Sequence, residues 1–222
     1  MKKKTKVLLT ILFIISLFNL LNLVYKCFTP NIDIGKTILS LIGCLFMLIL
    51  IILPLFSNKK LKLEIPDSMY TMFVVFCFCG IILGDVNDFF TRFSSYDSLL
   101  HFISGIMLSV LGFIVINTFC QKSIKSPLSP FFISFFAFTF ALSLGVFWEI
   151  IEYNFDKYLD TNMQVYRNRY TNENYVGREA LNDTMKDLML DASGGLIVSL
   201  VGYTDLRHNK KGFSTSTLQI KK

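Results

Sequence analysis

"YDSLLHFISGIMLSVLGFIVINTFC", residues 96–120, carries no charged side chain after His101. A helix rising 1.5 Å per residue needs about 20 such residues to cross roughly 30 Å of hydrocarbon, and this stretch supplies them from 98 to 120. The two ionisable groups at its start, Asp97 and His101, are four positions apart. At that spacing they lie one above the other on one helical face, separated by roughly 6 Å of rise.

Working outward, similar runs occur at 7–25, 34–56, 68–90, 131–154 and, shorter, 187–203. Of the 222 residues, 53% are hydrophobic, 23 are Phe and only 17% are charged, with a mean hydropathy of +0.53. That composition excludes an ordinary water-soluble domain. The expectation is an all-α polytopic membrane protein, one integral domain of six transmembrane helices over 1–222, with an outer loop at 155–186 and a tail at 204–222. "MKKKTK" before the first run resembles the start of a secretory signal. The run is about 19 residues long and no small-x-small cleavage pattern follows it, so it reads as a retained helix.

Lysine and arginine set the orientation. With the amino terminus cytoplasmic, the inner segments hold Lys2, Lys3, Lys4, Lys6, Lys59, Lys60, Lys62, Lys122, Lys125, Arg207, Lys210, Lys211, Lys221 and Lys222, which is 14 of the 22 basic residues. Most of the remainder fall in one long loop, which weighs little in this rule. Both termini are therefore expected in the cytoplasm, and the +6 net charge reflects topology, not nucleic-acid binding.

The acids are distributed the other way: all but Glu64, Asp67 and Asp205 fall on the outer side or in outer helix halves. The fifth run ends in "FWEIIEYNFD", where Glu149, Glu152 and Asp156 recur at three and four residues. The sixth opens with "NDTMKDLMLDASGG", where Asp183, Asp187 and Asp191 step by four. Three helices thus bring ionisable stripes to the same leaflet. A charged group costs about 2.5–3.5 kcal/mol at a helix centre and less near the interface, so these groups need partners or a hydrated cavity. Cations within reach by sequence are Arg92, Lys157, Arg167, Arg169, Arg178 and Lys186.

Asp-x-x-x-His-Phe with a glycine four residues on, Trp-Glu-x-x-Glu, and "NDTMKDLMLDASGG" together resemble the YjdF-like family of uncharacterised bacterial inner-membrane proteins. The likeness covers about residues 67–203. A looser likeness is to VanZ-like membrane proteins, which order an Asp-x-x-x-His, a glutamate and an Asp-rich helix with glycines. The matching positions are Asp97, His101, Gly105, Glu149, Glu152, Asp183, Asp187 and Gly195. The chain departs from VanZ-like proteins in its Glu-x-x-Glu and in lacking their arginine-bearing motif before the last helix, so no resistance function carries over. The resemblance implies a location in the bacterial cytoplasmic membrane and leaves the reaction open.

Other features have plainer readings. The five cysteines fit no metal or disulfide framework and read as packing residues. Gly194 and Gly195, with Ser193 and Ser199, read as a face for close helix contact. Trp148 and the tyrosines at 153, 158, 166, 170 and 175 read as an interfacial aromatic belt. Asn19 and Asn22 suggest that the first helix packs on a neighbour. The 155–186 loop is long enough for a function of its own and could cap the acidic cluster.

Three functions compete. One is a metal-dependent enzyme at the outer membrane face, acting on a lipid or lipid-linked substrate. Its ligands would be Asp97, His101, Glu149 and Asp187, with Glu152 and Asp183 as acid/base groups. An oxygen-rich set with one imidazole suits Mg²⁺, Mn²⁺ or Ca²⁺ and allows Zn²⁺. The second is a small ion-coupled transporter, since intramembrane acids also line cation pathways. The third is a non-catalytic scaffold whose carboxylates are paired for structure.

Overall fold

The computed structural model describes residues 3–29, 34–57, 63–64, 67–120, 128–208 and 219–220. The helices are α1 (Lys3–Lys26), α2 (Ile34–Ser57), α3 (Asp67–Phe78), a π-helical continuation (Cys79–Val86), α4 (Phe89–Arg92), α5 (Tyr96–Cys120), α6 (Pro130–Leu159) and α7 (Asn182–Arg207). A 3-10 turn at Glu179–Leu181 leads into α7. The extended structure is slight: β1 (Leu63–Glu64) pairs antiparallel with β2 (Gln219–Ile220), and Arg167 bridges Asn174. Among the described residues, five helices are long and apolar enough to cross a membrane: Lys3–Lys26, Ile34–Leu53, Asp67–Val86, Tyr96–Thr118 and Pro130–Leu159. The 187–203 run lies in α7, which is outside that set because Asp183, Lys186, Asp187 and Asp191 crowd its first turns. Most of the lysines that set the expected orientation, Lys2, Lys59, Lys60, Lys62, Lys122, Lys125, Lys210, Lys211, Lys221 and Lys222, lie outside the described residues.

The chain forms two compact units, Met1–Tyr96 with Gln219–Lys222, and Asp97–Leu218. In the first, α1 buries Leu9, Leu12, Ser16, Asn19 and Leu23, a stripe stepping by three and four along one face. Its apolar members pack with Cys44, Met47, Leu50, Val74, Phe78 and Ile82. Asn19 donates to the Ile15 carbonyl at 2.9 Å and accepts from the Asn87 amide at 3.3 Å, whereas Asn22 is exposed. The third helix changes pitch at Cys79, and the Asn87 N–H bonds back five residues to the Ile82 carbonyl at 3.0 Å. Gly84 is required there, since a Cβ would overlap the Phe90 ring.

In the second unit, Ser129 caps α6 by accepting from the Phe132 N–H at 3.2 Å, with Pro130 in the first turn. Helices α5, α6 and α7 approach closely because small residues line their contacts. A Cβ on Gly105 would overlap the Asp191 carbonyl, one on Gly194 the Phe102 carbonyl, and one on Gly112 would come within 2.8 Å of the Ala137 Cα. Gly195 faces Ala141, and Ser199 meets Ser109 at 3.1 Å. Ser193 departs from that face: it is exposed and its hydroxyl donates to the Met189 carbonyl of its own helix. Phe113, Ile116, Ile133, Ala137 and Val198 form the apolar core of this unit.

Helix α6 runs five residues past the expected 154, ending at Leu159 with Asp160 as its C-cap at φ 53°. The polar residues after Asn154 stay helical because Asp156 has its own partners, described below. Helix α7 starts at Asn182, and these extensions shorten the connecting loop.

Candidate metal centre

Helix α5 brings Asp97 and His101 to the site on one face, and α7 brings Asp187. One donor atom from each, all three mutually within 4.8 Å, makes a group able to hold a metal ion. His101 and Asp187 are buried and Asp97 is half-buried.

The two ring nitrogens of His101 face different partners. Nδ1 donates to Asp191 Oδ2 at 3.1 Å, and Nε2 lies 3.8 Å from Asp97 Oδ1. In a neutral ring with its proton on Nδ1 toward Asp191, Nε2 would keep its lone pair on the side of Asp97. Asp191 is itself only 1% exposed and also accepts from the Ser104 hydroxyl. The Gly145 backbone of α6 abuts the same carboxylate, where any side chain would displace it.

Asp187 is also 1% exposed, and its Oδ1 has no hydrogen-bond partner among the described residues. Glu149 of α6, 5% exposed, has one oxygen occupied and one open. Its Oε2 accepts from Gln164 Nε2 at 3.0 Å, and its buried Oε1 has no partner among the described residues. Asp183 likewise has an unpartnered Oδ2. Glu152 is buried and its Oε1 accepts from the Trp148 indole at 2.8 Å. An ionised oxygen buried without a donor is costly, and a bound cation removes that cost.

The six residues singled out by spacing therefore share one electrostatic neighbourhood. Asp187 feels the charges of Asp97, His101, Asp183 and Glu149, and Glu152 feels those of Glu149, Asp97 and His101. Glu149 stands outside the compact three-residue group, although its open oxygen is buried. Of the cations considered, Arg169 and Lys186 act on Asp97 and Asp183. Arg167 instead pairs with Asp160 at 2.9 Å, and Lys157 lies over the Tyr153 and Tyr158 rings.

Spacing left three contributors without a role. Asp191 had a visible signal, since it continues the Asp183–Asp187 stripe at i+4 and precedes the glycine pair. Asp156 accepts from Thr161 Oγ1 at 2.6 Å, Met163 N–H at 2.7 Å and Gln164 N–H at 2.9 Å, and so fastens the loop to α6. Gln164 had no signal, because its place depends on the path of that loop.

The profile of a family described as "Predicted membrane protein (DUF2238)" matches residues 7–208. The chain belongs to this family. Every group of the centre falls within the match. A protein of Thermotoga maritima, named only "Uncharacterized protein", is 24% identical over 153 residues, covering 68% of this chain and 69% of the relative. No solved structure matches the chain.

Proposed function

We propose that this family member is a bacterial inner-membrane protein of the YjdF-like kind, with six spans and both termini cytoplasmic. Its Asp97–His101–Asp187 centre would hold a divalent cation and act, at the outer face, on a lipid or lipid-linked substrate. The observation that carries the reading is the convergence of those three donors within 4.8 Å around a buried, unpartnered Asp187 oxygen.

Helix α7 suits a sixth span despite its acids. Asp187 and Asp191 are buried, while Met189, Leu196, Ile197, Leu200 and Val201 form its exposed surface. Charge faces protein and hydrocarbon faces lipid, as a membrane helix requires.

One imidazole among carboxylates suits Mg²⁺, Mn²⁺ or Ca²⁺, and Zn²⁺ if a position stays open. Such an ion supplies Lewis acidity toward a phosphoryl or carbonyl oxygen. Asp97, His101 and Asp187 would hold it, and Glu149 would offer Oε1 directly or through water. Asp183 has an oxygen free to take or give a proton, and Glu152, steadied by Trp148, is the second acid/base candidate. Asp191 keeps the imidazole in the tautomer that binds.

Metal analysis of detergent-purified wild type beside His101→Ala tests the reading. Added Mn²⁺, Mg²⁺ or Zn²⁺ should raise the melting temperature of wild type and not of His101→Ala or Glu149→Gln. At a concentration a hundred times Kd the stabilisation is about 2.7 kcal/mol. No co-purified metal and no shift at any concentration would leave the scaffold or ion-transport readings, which radiotracer uptake in proteoliposomes separates.

A further inference from the structure

We infer that Gln164, carried by the loop after α6, is a positioning residue that fixes Glu149 with one carboxylate oxygen occupied and the other turned open toward the cation. The inference rests on the cation reading above and assigns the outer loop a part in building the site.

The loop leaves α6 at Asp160 and turns back at once onto the helix that produced it. Asp156, one turn before the helix end and 8% exposed, gathers the turn by accepting from the Thr161 hydroxyl and from the Met163 and Gln164 N–H groups. Two of these are backbone donors to one carboxylate, an arrangement that sets the direction of the chain as well as its distance. The next residue, Val165, has φ 44°, in the left-handed region that a β-branched residue seldom enters. Such a conformation is strained and persists where surrounding contacts over-determine it. Beyond it the chain continues into the Arg167–Asn174 bridge, with Asn162 holding both the Arg167 N–H and its carbonyl.

This anchoring sends the Gln164 side chain two helical turns back along α6. There Nε2 reaches Glu149 Oε2 at 3.0 Å and the Glu149 carbonyl at 3.3 Å. The bonds leave Glu149 Oε1 as a buried acceptor without a donor, on a side chain 95% buried. A structural contact alone would be served as well by lysine or arginine, which would also neutralise the carboxylate. The neutral amide orients Glu149 and leaves its charge for another cation. Glutamine is thus the residue type that a ligand-orienting contact calls for.

The test uses the full-length protein in detergent, titrated with Mn²⁺ and followed by electron paramagnetic resonance, with the metal-free melting temperature recorded beside it. Gln164→Met keeps the length and removes the donor. Gln164→Lys keeps a donor and adds a charge. Asp160→Asn loosens the Arg167 pair in the same loop without touching Glu149.

Gln164→Met should bind Mn²⁺ about tenfold more weakly than wild type, the lower end of what loss of a ligand's supporting contact costs. Gln164→Lys should bind more weakly still with a metal-free melting temperature no lower than that of wild type, a loss that a purely structural role would not produce. Asp160→Asn should bind as wild type does. Wild-type affinity in Gln164→Lys, or in a folded Gln164→Met, overturns this inference while the cation reading stands. No Mn²⁺ binding by wild type overturns both.

Discussion

Asp191 Oδ2 accepts from His101 Nδ1 at 3.1 Å across the α5–α7 contact, and both side chains are buried. The pair depends on how closely the two backbones approach, and that approach depends on glycine. A side chain at Gly105, one turn from His101, would strike the Asp191 main chain. The same contact that packs the helices therefore sets the imidazole.

Asp191→Asn should fold and bind cation more weakly. An amide can still accept from Nδ1 but lacks the charge that holds the proton there, and it can turn its NH₂ to the ring instead. A loss of roughly 10–100-fold in Mn²⁺ affinity, measured by titration, is the expected result. Unchanged affinity would reduce Asp191 to a packing group.

Gly105→Ala and Gly194→Ala should each destabilise the protein. The added methyl meets main-chain atoms of the facing helix, which cannot move aside as a flexible side chain could. Overpacking of this kind costs about 1–3 kcal/mol. Thermal unfolding in detergent should show lower midpoints for both, whereas Gly80→Ala, which meets nothing within 4 Å, should unfold close to wild type.

Ser109 and Ser199 share one hydrogen bond at 3.1 Å in the α5–α7 seam. A double-mutant cycle with alanine at both positions should return a coupling near 0.6 kcal/mol, the average for such bonds between membrane helices. Coupling indistinguishable from zero would mean that each hydroxyl finds another partner equally well.

A reporter fused after Asn172 should face the outside of the cytoplasmic membrane. The expectation comes from the basic residues at 2–6, 59–62, 122–125 and 207–222. A cytoplasmic reporter would reverse the face proposed for the Asp97–His101–Asp187 group and leave its geometry unchanged.

Five of the six expected spans, the third ending at Val86 and not at 90, and the acidic stripes were legible without coordinates because both are local properties. Run length against bilayer thickness gives the helices, and i, i+4 spacing puts Asp97 beneath His101 and Asp183 beneath Asp187 whatever the tertiary fold. The glycines beside those acids also marked where helices could touch. The sixth run was read as a span on its apolar length, and α7 shows why hydropathy is divided there: its acids occupy one face and its aliphatic residues the other.

Which donors meet is not a local property. Spacing treated Glu149 as equivalent to Asp187, but only Asp187 lies in the compact group with Asp97 and His101, because α5 and α7 are drawn together at Gly105 and Gly194. Gln164 lies 15 residues from Glu149 and reaches it only because Asp156 folds the loop back onto α6. Periodicity places a residue on a face of its own helix. The distance from that face to a neighbour is set by side-chain volume at the contact and by the route of the connecting chain, and those are decided only when the helices pack.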